Sequence, residues 1–182
     1  GYTYQVGAQR PSTQNGGTAS TIKGVLDNWY SNNIAEKGLD DKVVSTPGFC
    51  NDRNTASGDT WSVNRPFKYA AYDRVEHSTQ PTLKCSNSND LYTTRVGLIT
   101  ADEVRMAGGT YGQKNNSYYL YSGQNYWTMS PYYYNALSSS AFVYSVFSHG
   151  GLYNIHSVDT EYGVRPAINL ASNVTLTGSG TM

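Results

Sequence analysis

The sequence predicts an α+β domain in which two helices flank small twisted antiparallel sheets joined by long loops. Three observations carry that expectation. Residues 140–158 alternate in side-chain character on either side of a His149-Gly150-Gly151 turn signal, which reads as a β-hairpin. Residues 21–34 and 101–107 carry helical spacing behind capping residues. Residues 43–95 are mostly turn formers with little periodic pattern, so they read as loops.

Taken in order, residues 1–19 open with a short alternating piece, Tyr2 to Val6, then turn polar and Gly-rich. Ile22, Val25, Leu26 and Trp29 then recur at helical spacing behind Ser20 or Thr21 as the cap, with Trp29 expected to anchor the helix in the core. Gly38 and the Asp40-Asp41-Lys42 turn end it. A Val43-Val44 strandlet leads into loops. The Asn51-Asp52-Arg53 turn there is expected to hold an Asx-turn or a local ion pair. Tyr69 to Glu76 reads as a short strand or a helical turn, and His77 as a solvated loop residue.

Val96 to Thr100 is a strand running into the second helix. Thr100 and Glu103 form its capping box, Gly108-Gly109 its stop, and Val104 and Ala107 its buried face. Asn125 to Met129 is an aromatic strand with Trp127 beneath a binding face. Gly163 to Leu170 closes the chain's pattern as a further strand, whose Pro166 belongs at an edge or a bulge.

The length suits one domain over residues 1–182 with a full core. Thirteen basic and 13 acidic residues balance to zero net charge, and no Lys/Arg run interleaves with aromatics. Neither nucleic acid nor an anionic membrane surface is therefore expected as a partner, and no apolar run is long enough to span a bilayer. Cys50 and Cys85 sit in polar surroundings. In a secreted chain such a pair reads as a disulfide, stabilising by roughly 3–4 kcal/mol in the chain-entropy model, and in a cytosolic chain as two free thiols.

Catalysis is not expected. No Gly-x-Ser-x-Gly elbow occurs, and the histidines His77, His149 and His156 have no Cys or Ser at motif spacing. Neither cysteine has a ligand at zinc spacing, so no metal is expected. What stands out is a contact surface. From Tyr132 to Tyr162, Tyr, Ser, Asn, His and Phe fill 18 of 31 positions, with no Lys or Arg. Tyrosine gives large amphipathic area with few rotors to freeze, while Ser and Asn adapt their hydrogen bonds.

The order Tyr126-Trp127…Ser130-Pro131, then a hairpin, then Gly163-Val164-Arg165-Pro166-Ala167-Ile168-Asn169-Leu170 resembles the C-type-lectin fold in its bacterial form. That branch includes formylglycine-generating enzymes and the variable proteins of diversity-generating retroelements. More closely, the phrases LDNWYSNN, FCNDR, PTLKC, NDLYT, VGLITADEV, YWTMSP and GVRPAINL are similar to a family of surface proteins of gut Firmicutes.

The resemblance implies a single lectin-like domain over 1–182, with residues 1–19 as N-terminal strand and polar lead-in and 126–170 as a C-terminal display region. Tyr2, Tyr4 and Val6 would pair with the strand around Val174 and Leu176. Formylglycine-generating enzymes use two cysteines near the C-terminal hairpin. Here both lie upstream, so the likeness is to the frame and not to that active site. The Glu-Pro-Asn, Gln-Pro-Asp and Trp-Asn-Asp calcium triplets of sugar-binding lectins are absent. No cofactor is expected, with a structural calcium as the alternative.

The functional expectation is a secreted or cell-surface binding protein for a protein or glycan ligand. Its contact residues would be Tyr132, Tyr133, Tyr134, Asn135, Tyr144, Phe147, His149, Tyr153, Asn154 and His156, with Tyr144, Tyr153, Asn154 and His156 foremost. The composition resembles the product of adenine-directed diversification, which yields Asn, Tyr, Ser, His, Asp, Phe and Ala from AAY codons. Arg165 is assigned to the fold, bonding backbone carbonyls or a buried carboxylate. The alternative is a structural module of a surface fibre or pseudopilus, and a weaker one an enzyme on the same scaffold.

Overall fold

The computed structural model describes residues 20–62 and 64–178. It is a mixed α+β structure whose small sheets are all antiparallel. The expected strand at Tyr2, Tyr4 and Val6 lies outside the described residues. Its supposed partners, Val174 and Leu176, belong to no strand.

Helix α1 (Thr21–Asn33) starts where the cap predicts, with the Ser20 hydroxyl accepting from the Lys23 amide. Its buried face is turned slightly from the expected one. Leu26 and Tyr30 are buried, Ile22 and Trp29 pack beside them, and Val25 is exposed. Tyr30 can go inside because its hydroxyl donates to Asp40 at 2.8 Å, which removes the penalty of burying a lone donor.

α1 lies on a three-stranded sheet ordered β1 (Val43–Val44), β9 (Pro166–Leu170), β5 (Val96–Leu98). β9 is thus the central strand, not an edge. Pro166 is tolerated because it is the first residue, where it meets Leu98 and ends the ladder. A two-residue pair, β2 (Phe49–Cys50) with β4 (Leu91–Tyr92), sits beside it. Cys50 is bridged to Cys85 across 35 residues. That ties together the loop-rich region, and the described residues contain no free cysteine.

The second sheet runs β3 (Phe67–Lys68), β6 (Tyr126–Asn135), β7 (Ser140–Val146), β8 (Leu152–Tyr153). β6 is longer than the aromatic strand expected from sequence. It runs on through Tyr132–Asn135, because a Tyr run favours a pleated surface. Register shifts on either side of Pro131 let the strand carry a proline. The predicted hairpin forms between β7 and β8. Its second arm, however, stops at Tyr153, where Asn154 turns inward to a carboxylate.

Helix α2 (Ala101–Met106) has both halves of the Thr100–Glu103 capping box, and Val104 is fully buried beneath it. Tyr69–Glu76 resolves into helical turn, with a wide turn over Asp73–His77 that buries Val75. Among the described residues no helix is long and apolar enough to cross a membrane.

Candidate functional site

The predicted contact residues separate into two groups. Tyr134, Tyr144 and Asn154 are buried, and their expected exposure is corrected here. Tyr134 packs in a small core with Phe67, Tyr69 and Ala141, its ring 5.7 Å from that of Phe67. Tyr144 is fully buried in the main core under α2, and Asn154 is 5% exposed. The reason is that the sheet is covered on both faces. Alternation along β7 therefore does not separate an inner register from a displayed one.

Tyr132, Tyr133, Phe147, His149, Tyr153 and His156 are half-buried. Asn135 is the last residue of β6, its Oδ1 accepting from the Leu137 amide at 3.0 Å.

Phe147 is the hub. Its ring centroid lies 4.6 Å from Tyr153, 5.4 Å from His156, 5.8 Å from His149 and 6.0 Å from Tyr162. The β7–β8 turn fixes this geometry. The Phe147 amide donates to the Gly151 carbonyl at 2.9 Å and the Gly150 amide to the Phe147 carbonyl at 2.7 Å. Gly150 sits at φ +81°, and a Cβ there would fall 1.6 Å from the Asn115 carbonyl oxygen, so only glycine fits. Tyr162 is held by its neighbour Gly163, which exchanges backbone bonds with Asn125 and Trp127, and it stacks on buried Trp127 at 4.9 Å. Trp127 is therefore buried beneath Tyr162. Arg165 donates to the Leu120 carbonyl and lies over Tyr126 at 5.4 Å, the structural role expected of it.

From the hub the rings continue across the sheet. Tyr153 leads to Tyr111 at 6.3 Å, Tyr111 to Tyr144 at 6.5 Å, Tyr144 to Tyr132 at 5.5 Å and Tyr132 to Tyr72 at 6.2 Å. Beside this stripe lies Glu76, which sequence reading passed over. Its Oε1 accepts from the Tyr144 hydroxyl and from Asn154 Nδ2, each at 2.5 Å, and the Tyr111 hydroxyl donates to Asn154 Oδ1 at 3.2 Å. Burial, then the charge of Glu76, pushes the Tyr111 phenol up to about 12. The same two causes, with the hydrogen bond to Glu76, raise Tyr144 further. Both phenols stay neutral donors at any physiological pH. No periodicity could have announced Glu76, because its partners lie 68 and 78 residues along the chain.

A separate concavity lies elsewhere. A cavity of about 660 Å³ runs beside the Cys50–Cys85 bridge, lined by Asp52, Arg74, Asp102, Glu103 and Asn169 among others. Its carboxylates and its guanidinium are already bonded. Arg74 grips both oxygens of Asp102 at 2.8 and 3.0 Å and reaches Asp52 at 2.9 Å. Asp102 also takes the Thr82 amide, Asp52 the Ser86 hydroxyl, and Glu103 the Thr100 amide. Asp52 does form the expected Asx-turn, accepting from Asn54. Arg53 pairs instead with distant Asp90 at 3.2 Å. Among the described residues no group of three or more His, Cys, Asp or Glu is placed to hold a metal ion.

Residues 77–172, more than half of the chain, match a family model described as "Domain of unknown function (DUF6273)". The matched span includes the Phe147 hub and begins one residue after Glu76. No curated protein and no solved structure matches the chain.

Proposed function

This chain belongs to that domain family, and from that premise we propose that it is a non-catalytic binding domain of a bacterial cell surface, with the aromatic face as its contact surface for protein or glycan. The frame in this reading is C-type-lectin-like, and retroelement diversification supplies variety at the half-exposed positions. One observation carries it. Phe147, His149, Tyr153, His156 and Tyr162 are mutually packed and all half-buried, so they are rigid before any partner arrives. Pre-ordered aromatic rings lose little side-chain freedom on contact, which is what makes them affinity anchors. Ile155 and Val158, next to His156 in the chain or two residues on, are exposed, as are Asp159 and Glu161.

The test uses a mucin-coated surface, which presents polypeptide and sugar together. Phe147→Ala and Tyr153→Ala are each expected to weaken retention at least tenfold, with the melting temperature lowered by only a few degrees. Unchanged retention, or loss that merely follows unfolding, would overturn the assignment.

A further inference from the structure

Glu76 and its surroundings have a chemistry that the Phe147 hub lacks. The carboxylate is half-buried, and the bonds from Tyr144 and Asn154 both end on Oε1, with the Tyr111 phenol close by. A carboxylate has about four acceptor positions, so Glu76 has accepting capacity beyond those two bonds. Lys68 comes in from β3, with Nζ 3.6 Å over the Tyr72 ring. Lys68 and Glu76 attract one another but form no salt bridge, and Tyr132 is near enough to feel both charges. An acceptor and a donor therefore lie within electrostatic reach of one another, beside the packed rings of Tyr72 and Tyr132, whose centroids are 6.2 Å apart.

Resting on the reading above, we propose that Lys68, Tyr72, Glu76 and Tyr132 form a subsite for an uncharged saccharide ring, at the far end of the aromatic stripe from the Phe147 hub. The charge pattern selects the ligand class. An organic cation would be drawn to Glu76 and the tyrosine faces, but the Lys68 ammonium already covers Tyr72 and repels it. An anion would be drawn to Lys68 and repelled by Glu76. A neutral ring with several hydroxyls suits both, because each hydroxyl donates to the carboxylate or accepts from the ammonium. The C–H face of such a ring matches the ring of Tyr132, since Lys68 covers that of Tyr72, as the hydroxyls match the charged pair. The stripe through Tyr144, Tyr111 and Tyr153 joins this subsite to the hub, so a chain of sugars could engage both.

Electrophoresis in native gels cast with starch, β-1,3-glucan, xylan or mannan tests the proposal. The protein should be retarded in at least one gel. Lys68→Met and Glu76→Gln should each weaken that retardation tenfold or more. Glu76→Gln keeps an oxygen for Tyr144 and Asn154, so a circular dichroism melt should find both variants folded. Retardation in none of the gels overturns the subsite, and so does retardation that both variants retain. If Phe147→Ala abolishes retardation while Lys68→Met and Glu76→Gln leave it intact, the subsite is wrong and the binding face stands. If none of the three variants changes the retardation, the subsite and the face both fail.

Discussion

Around Arg74, three guanidinium nitrogens meet three carboxylate oxygens of Asp52 and Asp102, and backbone and hydroxyl donors take up the same carboxylates. Around Phe147, five aromatic side chains touch and no charged group is bonded among them. The first region is built on carboxylates and a guanidinium, the second on five rings with no Asp, Glu, Lys or Arg among them. By volume and charge the cavity would be the better candidate. Yet its polar groups already answer one another, which is how a fold satisfies buried charge. The half-buried rings keep apolar area outward. Unused capacity marks a contact surface better than volume does.

Three changes would break or sharpen that contrast. The largest effect is expected at Arg74. Arg74→Met strands Asp52 and Asp102, whose side chains are 9% and 4% exposed, and should cost about 3–5 kcal/mol in urea unfolding. Protein that remains folded should still bind through the aromatic face. A variant that stays stable but no longer binds would move the site to the cavity.

A middle effect is expected at Tyr144. Tyr144→Phe removes a buried donor to a carboxylate and should cost about 1.5 kcal/mol near neutral pH. Burial and Glu76 hold this phenol protonated in the folded state well above the ordinary value of 10.0. Below pH 10 both states carry the proton and the full contribution is present. Above it the unfolded chain loses the proton first, so stability falls by about 1.4 kcal/mol per pH unit for each such tyrosine. Tyr144→Phe lacks that loss, and the gap between variant and parent should close within about one pH unit above 10. A gap that stays constant on alkaline titration would show that Tyr144 is not held as described.

The smallest effect is expected beneath the face itself. The Ser145 hydroxyl is fully buried and bonded to no described residue. Ser145→Ala should change stability by less than about 1 kcal/mol, in the stabilising direction, and leave binding untouched. A marked loss in thermal unfolding would reveal a bond that the sheet depends on.

Much of the frame was legible in the sequence. Ser20 and the Thr100–Glu103 box mark helix starts because capping is local chemistry, and His149-Gly150-Gly151 marks the turn because only glycine tolerates the approach of Asn115. The candidate site was half legible. Phe147, His149, Tyr153 and His156 come together as their crowding on one hairpin suggests. Tyr144 and Asn154 turn inward because Glu76 offers them a partner from a distant turn, and no spacing rule encodes such a meeting. Lys68 and Tyr72 escaped for the same reason. Their place beside Tyr132 follows from the pairing of β3 with β6, in which Lys68 faces Tyr133 across 65 residues of chain.

The position of β9 has a consequence for the order in which this chain can mature. Val43 and Val96 find their partners only at Leu170 and Ile168, so the sheet under α1 cannot close until those late residues have left the ribosome. Long-range pairing of this kind slows folding and keeps earlier segments open meanwhile. A chain stopped before residue 166 would leave β1 and β5 without the strand that joins them. The Cys50–Cys85 bridge, which needs neither, could form first and hold the loops while the rest waits.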